Sequence, residues 1–189
     1  MYLASTPAAN AVLEQDPLAL LLGMMLDQQI PMEKAFTSPS VLRDRIGRDL
    51  DAAELATWDP AAFEEIFATP PALHRFPVAM AKRAQVLCAI VADKYGGDAA
   101  AIWTTAKSGN ELVSRVAELP GFGAQKARIF TALVGKQLAV RPRGWREASE
   151  PYGRGGTFAS AADVVDQSSL TKVKAYKREQ KALAKAADQ

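Results

Sequence analysis

The segment Leu119–Ala127, with the sequence LPGFGAQKA, has the residue types and spacing of a phosphate-binding turn between two helices. Pro120 would end the first helix, because the residue before a proline avoids the α region. Gly121 and Gly123 permit backbone angles closed to other residues and let another molecule approach closely. The second helix would begin with free N–H groups at the positive end of its dipole, which favours an anion. Lys126 in its first turn, where the dipole disfavours cations, is a further indication of a nearby negative charge.

The elements around this turn are predicted to be helices. Apolar residues recur at helical spacing over 111–118 and again over 127–134. Asp16-Pro17 is typical of a helix start, and the helix to about Gln28 is apolar nearly all round, which favours burial. Further helix starts are predicted at Pro31, Ser38-Pro39, Asp59-Pro60, Pro77, Ser108, Ser160 and Ser168. Residues 141–156, rich in Pro, Gly and charge, are predicted to form a long loop, and the fold class is all-α.

Composition limits the possible functions. An apolar share of 49% and a charged share of 23% are ordinary for a globular protein. The net charge of +2 is small, so a DNA-binding face would have to come from local clustering of basic residues. Cys88 is the only cysteine, which excludes an intrachain disulfide and a four-cysteine iron–sulfur cluster and favours a cytoplasmic location. The apolar run Leu18–Leu26 is too short to span a bilayer, so no membrane role is expected.

Leu119–Ala127 resembles the helix-hairpin-helix of base-excision DNA glycosylases, the HhH-GPD superfamily that includes endonuclease III. The shared motif is hydrophobic-Pro-Gly-hydrophobic-Gly, with Ala four residues later. Taken alone, the motif also fits a plain Schellman-type turn between core helices. Three further segments resemble the family in the same order along the chain: residues 16–29, 76–84 and 136–140. Together they cover roughly residues 16–140.

The resemblance implies a two-lobed helical fold with a cleft that takes a flipped base. Residues 17–137 would form one helical lobe ending in the hairpin. Residues 1–16 and 138–189 would form the second lobe, which ends in a basic helix. The expected partner is double-stranded DNA, and the expected form is a nucleoid-associated monomer in the cytoplasm.

The resemblance also assigns DNA contacts and a cation site. Gln29 matches the glutamine that fills the space left by a flipped base, where its amide can hydrogen-bond to the stranded partner base. The other expected DNA contacts are Gly121, Phe122, Gly123, Gln125, Lys126 and Arg141. The backbone carbonyls of Ala117, Leu119 and Phe122 match those that hold a monovalent cation, K⁺ or Na⁺, in relatives. No cofactor is expected to be required.

The sequence departs from the family at the catalytic positions. Arg141 stands where the family has its catalytic aspartate, and an arginine cannot act as a general base near neutral pH. Gln125 stands where bifunctional members have a nucleophilic lysine, and an amide cannot form a Schiff base. Lys126 is the next residue, but neighbouring helical side chains point about 100° apart. We therefore expect no lyase activity, and glycosylase activity only if another carboxylate has taken over: Asp27, Glu147, Asp163 or Asp166.

The predicted function is recognition of damaged duplex DNA and excision of a modified base by a monofunctional glycosylase. One alternative is a non-catalytic DNA-binding protein, and another is a helical protein-interaction domain. The arginines of residues 141–154, interleaved with Trp145 and Tyr152, suit a phosphate-lined base pocket but equally a solvated loop with one packed Trp. The lysines and arginine of residues 172–185 suit phosphate binding or a solvated helix face. His74, the only histidine, is predicted to be structural.

Overall fold

In the computed structural model, which describes residues 1–187, the chain is all-α, as predicted. That part of the chain forms no β-strand. Its helices are α1 (Pro7–Gln15), α2 (Pro17–Leu26), α3 (Met32–Ile46), α4 (Ala52–Thr57), α5 (Pro60–Ala68), α6 (Pro77–Tyr95), α7 (Ala101–Thr104), α8 (Gly109–Ala117), α9 (Ala124–Gln137), α10 (Trp145–Ala148) and α11 (Gln167–Ala187), with a 3₁₀ helix at Ala161–Asp163. Their buried apolar residues form one continuous core. None of these helices is long and apolar enough to cross a membrane.

Helix α2 is the most deeply buried element. The carboxylate of Asp16 accepts the amides of Leu18 and Ala19 and so caps the helix at the predicted start. Every residue from Leu18 to Leu26 is buried, which agrees with the apolar sequence. The helix ends at Leu26, slightly before the predicted end, and the segment from Asp27 onward emerges at the surface.

Helix α3 differs from the prediction. Ser38-Pro39 does not start a new helix, because Pro39 lies inside α3, which continues to Ile46. A proline in this position removes one backbone hydrogen bond. The buried Ser38 hydroxyl is held here by the carbonyl oxygens of Lys34, at 2.9 Å, and Leu73, at 2.8 Å, and so ties α3 to the segment before α6.

Other predicted helix starts are confirmed. Asp59 caps α5, Pro77 begins α6 and Ser108 caps α8 by accepting the amide of Glu111. Ser160 caps a 3₁₀ helix, and α11 begins at Gln167, one residue before the predicted Ser168. The sequence had not indicated α1, α4 or α7.

Residues 141–156 are not a loop throughout, because they contain the short helix α10. The Trp145 ring lies directly on the backbone of Gly135 in α9, where a Cβ atom would stand 2.3 Å from a ring carbon. The Gly109 amide also donates to the carbonyl of Arg143 at 2.8 Å. Trp145 is therefore a buried residue that packs this segment against α8 and α9, the two helices of the hairpin.

Candidate nucleic-acid interface and cleft

A cleft of about 540 Å³ opens between the end of α2, the start of α9 and the face of α11. Its walls include residues from both of the predicted ranges, 17–137 and 138–189. Its lining residues are Met24, Asp27, Gln28, Gln29, Gln125, Lys126, Ile129, Tyr152, Ala159, Tyr176, Lys177 and Gln180. Its volume is in the range of small-molecule sites, so a nucleobase could enter it.

Lys126 joins the hairpin to the end of α2. Its ammonium group donates to the carbonyl oxygen of Met25 at 2.8 Å and to that of Gly121 at 3.3 Å. Burial lowers the pKa of Lys126 to about 8, the Asp27 carboxylate opposes this shift, and the Arg83 guanidinium adds to it. Adjacent residues of a helix leave the backbone in different directions. The long Lys126 side chain nevertheless bends back to these carbonyls, so that Lys126 and Gln125 both line the cleft.

Asp27 is the one carboxylate among the described residues that line the cleft. It directly follows α2, and its amide donates to the carbonyls of Gly23 and Met24. Burial raises the pKa of its carboxyl group above the usual range, while the ammonium groups of Lys177 and Lys126 partly oppose this shift. Of the predicted catalytic candidates, Asp27 therefore has the environment that favours a role in proton transfer or charge stabilisation.

Gln29 is exposed at the rim of the cleft with a backbone φ of 56°. Residues with a Cβ atom enter the left-handed region at an energetic cost of about 1 kcal/mol. Strain of this kind is concentrated at functional sites. Gln29, the residue predicted to insert into a duplex, thus lies exposed at the cleft rim in a strained backbone conformation.

A buried scaffold holds the loop that carries Gln29. The Phe76 amide donates to Nδ1 of His74 at 3.1 Å, so Nε2 carries the proton and donates to the Gln28 carbonyl at 2.9 Å. Burial lowers the pKa of His74, which favours this neutral form. The Gln28 amide group donates to the Met25 carbonyl, and its oxygen accepts from Arg83 at 3.1 Å. His74 is structural, as predicted, and it positions the wedge candidate.

The hairpin turn presents an open helix start. Gly123 is the N-cap of α9 and has no side chain to cap the helix. No side chain therefore accepts a hydrogen bond from the first amides of α9. A Cβ atom at Gly123 would meet no atom within 4 Å. Gly121, in contrast, has φ of 83°, and a Cβ atom there would lie 2.9 Å from Arg83 Cδ. Gly121 is thus required for the turn, whereas Gly123 leaves space for an approaching ligand.

The predicted cation site lies in the same turn. Of the carbonyls at Ala117, Leu119 and Phe122, that of Leu119 accepts the Phe122 amide at 3.0 Å. A carbonyl oxygen has two lone pairs, so this hydrogen bond still leaves room for a cation. The Phe122 ring itself is buried and faces the Lys126 ammonium at 5.3 Å, so it contributes packing rather than an exposed DNA contact.

Arg141 and the two distal aspartates have local structural partners. Arg141 Nε donates to the Gly135 carbonyl at 3.0 Å and stabilises the C-terminal end of α9. Asp163 pairs with Lys136 at 2.5 Å and accepts the amides of Ala159 and Ser160 in a capping box. Asp166 accepts the Ser169 amide at 2.7 Å. None of them is among the cleft-lining residues, and Glu147 lies exposed on α10.

Sequence reasoning missed the part that α11 plays in the cleft. Tyr176, Lys177 and Gln180 form one wall, with Val173 buried one turn earlier. Their spacing is that of one helical face and was the available signal. On the opposite wall, Gln125 donates to the Tyr152 hydroxyl at 2.8 Å, which fixes that ring in the cleft.

Comparison with known proteins identifies no relative. No family model matches the chain, and neither a curated protein nor a solved structure matches it.

Proposed function

We propose that this protein binds damaged duplex DNA and excises a modified base as a monofunctional DNA glycosylase. One observation carries the proposal: the first turn of the uncapped helix α9, through Gln125 and Lys126, lines the same cleft as the strained Gln29 and the buried carboxyl group of Asp27. Each group suits a different step of base excision. The start of α9 would bind a phosphate, Gln29 would fill the gap left in the duplex, and Asp27 would stabilise the charge that develops on the sugar.

Backbone contacts would fix the position of the duplex. The free amides of α9 and the Lys126 charge at its first turn favour a phosphate oxygen. Gln29 would then enter the base stack from the rim, and the displaced nucleotide would turn into the cleft. The rings of Tyr152 and Tyr176 are available there for stacking on a base.

The chemical step would use Asp27. As the C1′–N bond breaks, its electron pair leaves with the base and positive charge develops on the sugar. The Asp27 carboxylate would stabilise that charge, and it would accept a proton from the water that attacks C1′. Lys177 and Lys126 lie on the same cleft and could stabilise negative charge on the departing base.

A second candidate is a DNA-binding protein without catalytic activity. The observation that favours it is the local engagement of Arg141, Asp163 and Asp166, which leaves Asp27 as the sole carboxylate among the described lining residues. In this case the α9 start and Gln29 would still recognise the duplex.

A panel of duplexes with different damaged bases tests both candidates. Each duplex is incubated with the protein and scored for released base, and affinity is measured over a range of salt concentrations. We expect release of one class of modified base, and an affinity that falls steeply with salt because phosphate contacts displace counterions. Salt-dependent binding without release of any base supports the second candidate. No salt-dependent binding contradicts both.

A further inference from the structure

The charged groups that line the cleft are predominantly positive. Two lysines, Lys126 and Lys177, and one carboxylate, Asp27, line it, and the remaining lining residues are neutral. Of the charged groups outside the lining, Arg83 is near enough to Lys126 to lower its pKa and adds positive charge. The Glu33 carboxylate, which lies near Asp27, is paired with Lys174. A base in the cleft therefore meets an excess of ammonium groups.

Lys177 is placed to meet the base directly. It lies on the exposed face of α11, and within residues 1–187 no ion pair or hydrogen bond engages its ammonium group. Lys126, in contrast, uses two of its three donors on the carbonyls of Met25 and Gly121. The free ammonium of Lys177 can therefore turn toward an acceptor on a base without the loss of an internal contact.

The other walls do not discriminate between bases by hydrogen bonding alone. Tyr152 and Tyr176 offer aromatic faces, and stacking tolerates every base because each has a π-face. The Gln28 amide is engaged by the Met25 carbonyl and by Arg83, and Gln125 donates to the Tyr152 hydroxyl. The Gln180 amide can donate or accept, so it favours no particular base edge. Charge is thus the property of this cleft that distinguishes one modified base from another.

We infer that the cleft selects a base whose edge presents carbonyl oxygens or a negative charge and rejects a cationic alkylated base, with Lys177 as the specificity-determining residue. This inference rests on the proposed base-excision function and names its substrate class. Xanthine and 7-methylguanine are suitable opposites. Both are purines of similar size, but xanthine has carbonyl oxygens at C2 and C6 and ionises near neutral pH, whereas 7-methylguanine carries a positive charge.

The experiment measures affinity separately from catalysis. Three duplexes are compared: one with 2′-fluoro-deoxyxanthosine, one with 2′-fluoro-7-methyldeoxyguanosine and one undamaged. The fluorine destabilises the sugar cation, so both modified bases stay attached during the measurement. We expect the xanthine duplex to bind on the order of tenfold more tightly than the 7-methylguanine duplex, as for one charge interaction partly shielded from water.

Two variants of the same helix show whether Lys177 causes the preference. In Lys177→Met the ratio between the two modified duplexes should fall to about threefold or less, because Lys126 alone remains. Lys181→Met is the matched control, since Lys181 is exposed one turn further along α11 and does not line the cleft. It should lower affinity for all duplexes alike and leave the ratio unchanged.

Each contrary outcome is distinguishable. Preferred binding or release of 7-methylguanine overturns the inference while the proposed function stands. An equal fall of the ratio in both variants assigns the effect to general charge and also overturns it. Equal affinity for all three duplexes, together with no released base in the panel, overturns the inference and the proposed glycosylase function together.

Discussion

The ammonium nitrogen of Lys126 lies 2.8 Å from the carbonyl oxygen of Met25, although 101 positions separate the two residues in the sequence. This contact brings the first turn of α9 against the end of α2. The helix start predicted to bind DNA therefore lies beside Asp27 and Gln29, which follow α2.

The buried ammonium of Lys126 should make stability depend on pH. Its pKa is lowered to about 8 in the folded chain from 10.5, so at intermediate pH the unfolded chain holds more protons there. The free energy of unfolding should therefore rise as pH increases through this window, by about 2 kcal/mol between pH 7 and 9.5 relative to Lys126→Met. Urea unfolding of both proteins across this range measures the difference. A difference that stays constant with pH contradicts a buried, titrating Lys126.

Gly123→Val should weaken binding to duplex DNA without harming the fold. A Cβ atom at position 123 meets no neighbour within 4 Å, so the fold should accept the substitution. The branched side chain should cover the free amides at the start of α9. The expected loss is about 1–3 kcal/mol for all sequences alike, the cost of an unmade charge-assisted contact. Fluorescence anisotropy with several unrelated duplexes measures this loss.

Gly155→Val is the matched control for that variant. Gly155 also has open space around its Cα atom and does not line the cleft. It should bind DNA like the parent. If Gly123→Val unfolds at the parental temperature and binds DNA as tightly as the parent, the hairpin is only a turn.

Gln29→Ala should impair base flipping more than overall affinity, because the phosphate contacts remain. A fluorescent base analogue at the lesion would report less unstacking than with the parent. Gln15→Ala, an exposed glutamine at the end of α1, should leave the signal unchanged. An unaltered signal in Gln29→Ala contradicts the wedge role.

Gln29→Gly should separate function from stability. The glycine removes the strain of a φ of 56° but makes the unfolded chain more flexible, so the free energy of unfolding should rise by about 0.5 kcal/mol or less, while the wedge is lost. A protein that becomes more stable and flips bases less well would show that the strained residue is retained for function.

Asp27→Asn and Asp163→Asn should have opposite effects. Asp27→Asn removes the cleft carboxylate and should reduce base release by several orders of magnitude with little change in stability. Asp163→Asn removes the carboxylate partner of Lys136, whose side chain is 16% exposed against 5% for Asp163, and should cost about 3 kcal/mol of stability. Folded Asp163→Asn should release base at the parental rate. Full activity in Asp27→Asn contradicts the catalytic role of Asp27.

Lyase activity should be absent. Gln125 cannot form a Schiff base, and the Lys126 ammonium is held by two backbone carbonyls. Incubation with abasic DNA and borohydride should therefore trap no covalent adduct on a denaturing gel. A trapped adduct that disappears in Lys126→Met would identify Lys126 as a nucleophile.

Helix starts could be predicted because their chemistry is local. Asp16, Asp59 and Ser108 each accept an amide from a residue two or three positions ahead, so a short sequence window contains the whole interaction. The prediction of a helix start at Ser38-Pro39 was wrong, because Pro39 lies inside α3. The Ser38 hydroxyl there bonds to the Leu73 carbonyl, and a local sequence window does not contain a partner 35 positions away. Gln29 could be proposed from the resemblance of residues 16–29 to the glycosylase family, and Asp27 from its place beside Gln29.

The composition of the cleft could not be predicted in the same way. The meeting of Asp27 with Lys126 and Lys177 depends on how α2, α9 and α11 pack, and no local spacing specifies that. Side-chain length also matters, since Lys126 reaches carbonyls that the direction of its Cα–Cβ bond does not indicate. Long-range packing and flexible side chains are therefore what the sequence leaves undetermined.

The packing of the Trp145 ring on Gly135 restricts which substitutions this chain can accept. No residue with a Cβ atom fits at position 135 while the indole stays, and Gly109 is crowded by the backbone of Gly144 and Trp145. Gly153 is crowded by the Arg146 backbone and the Ser149 hydroxyl. Gly135, Gly109 and Trp145 are therefore expected to change together or not at all, with Gly153 fixed by the turn of the same segment. Their spacing, added to the hairpin motif, forms a search pattern by which distant homologues can be recognised when overall identity has been lost.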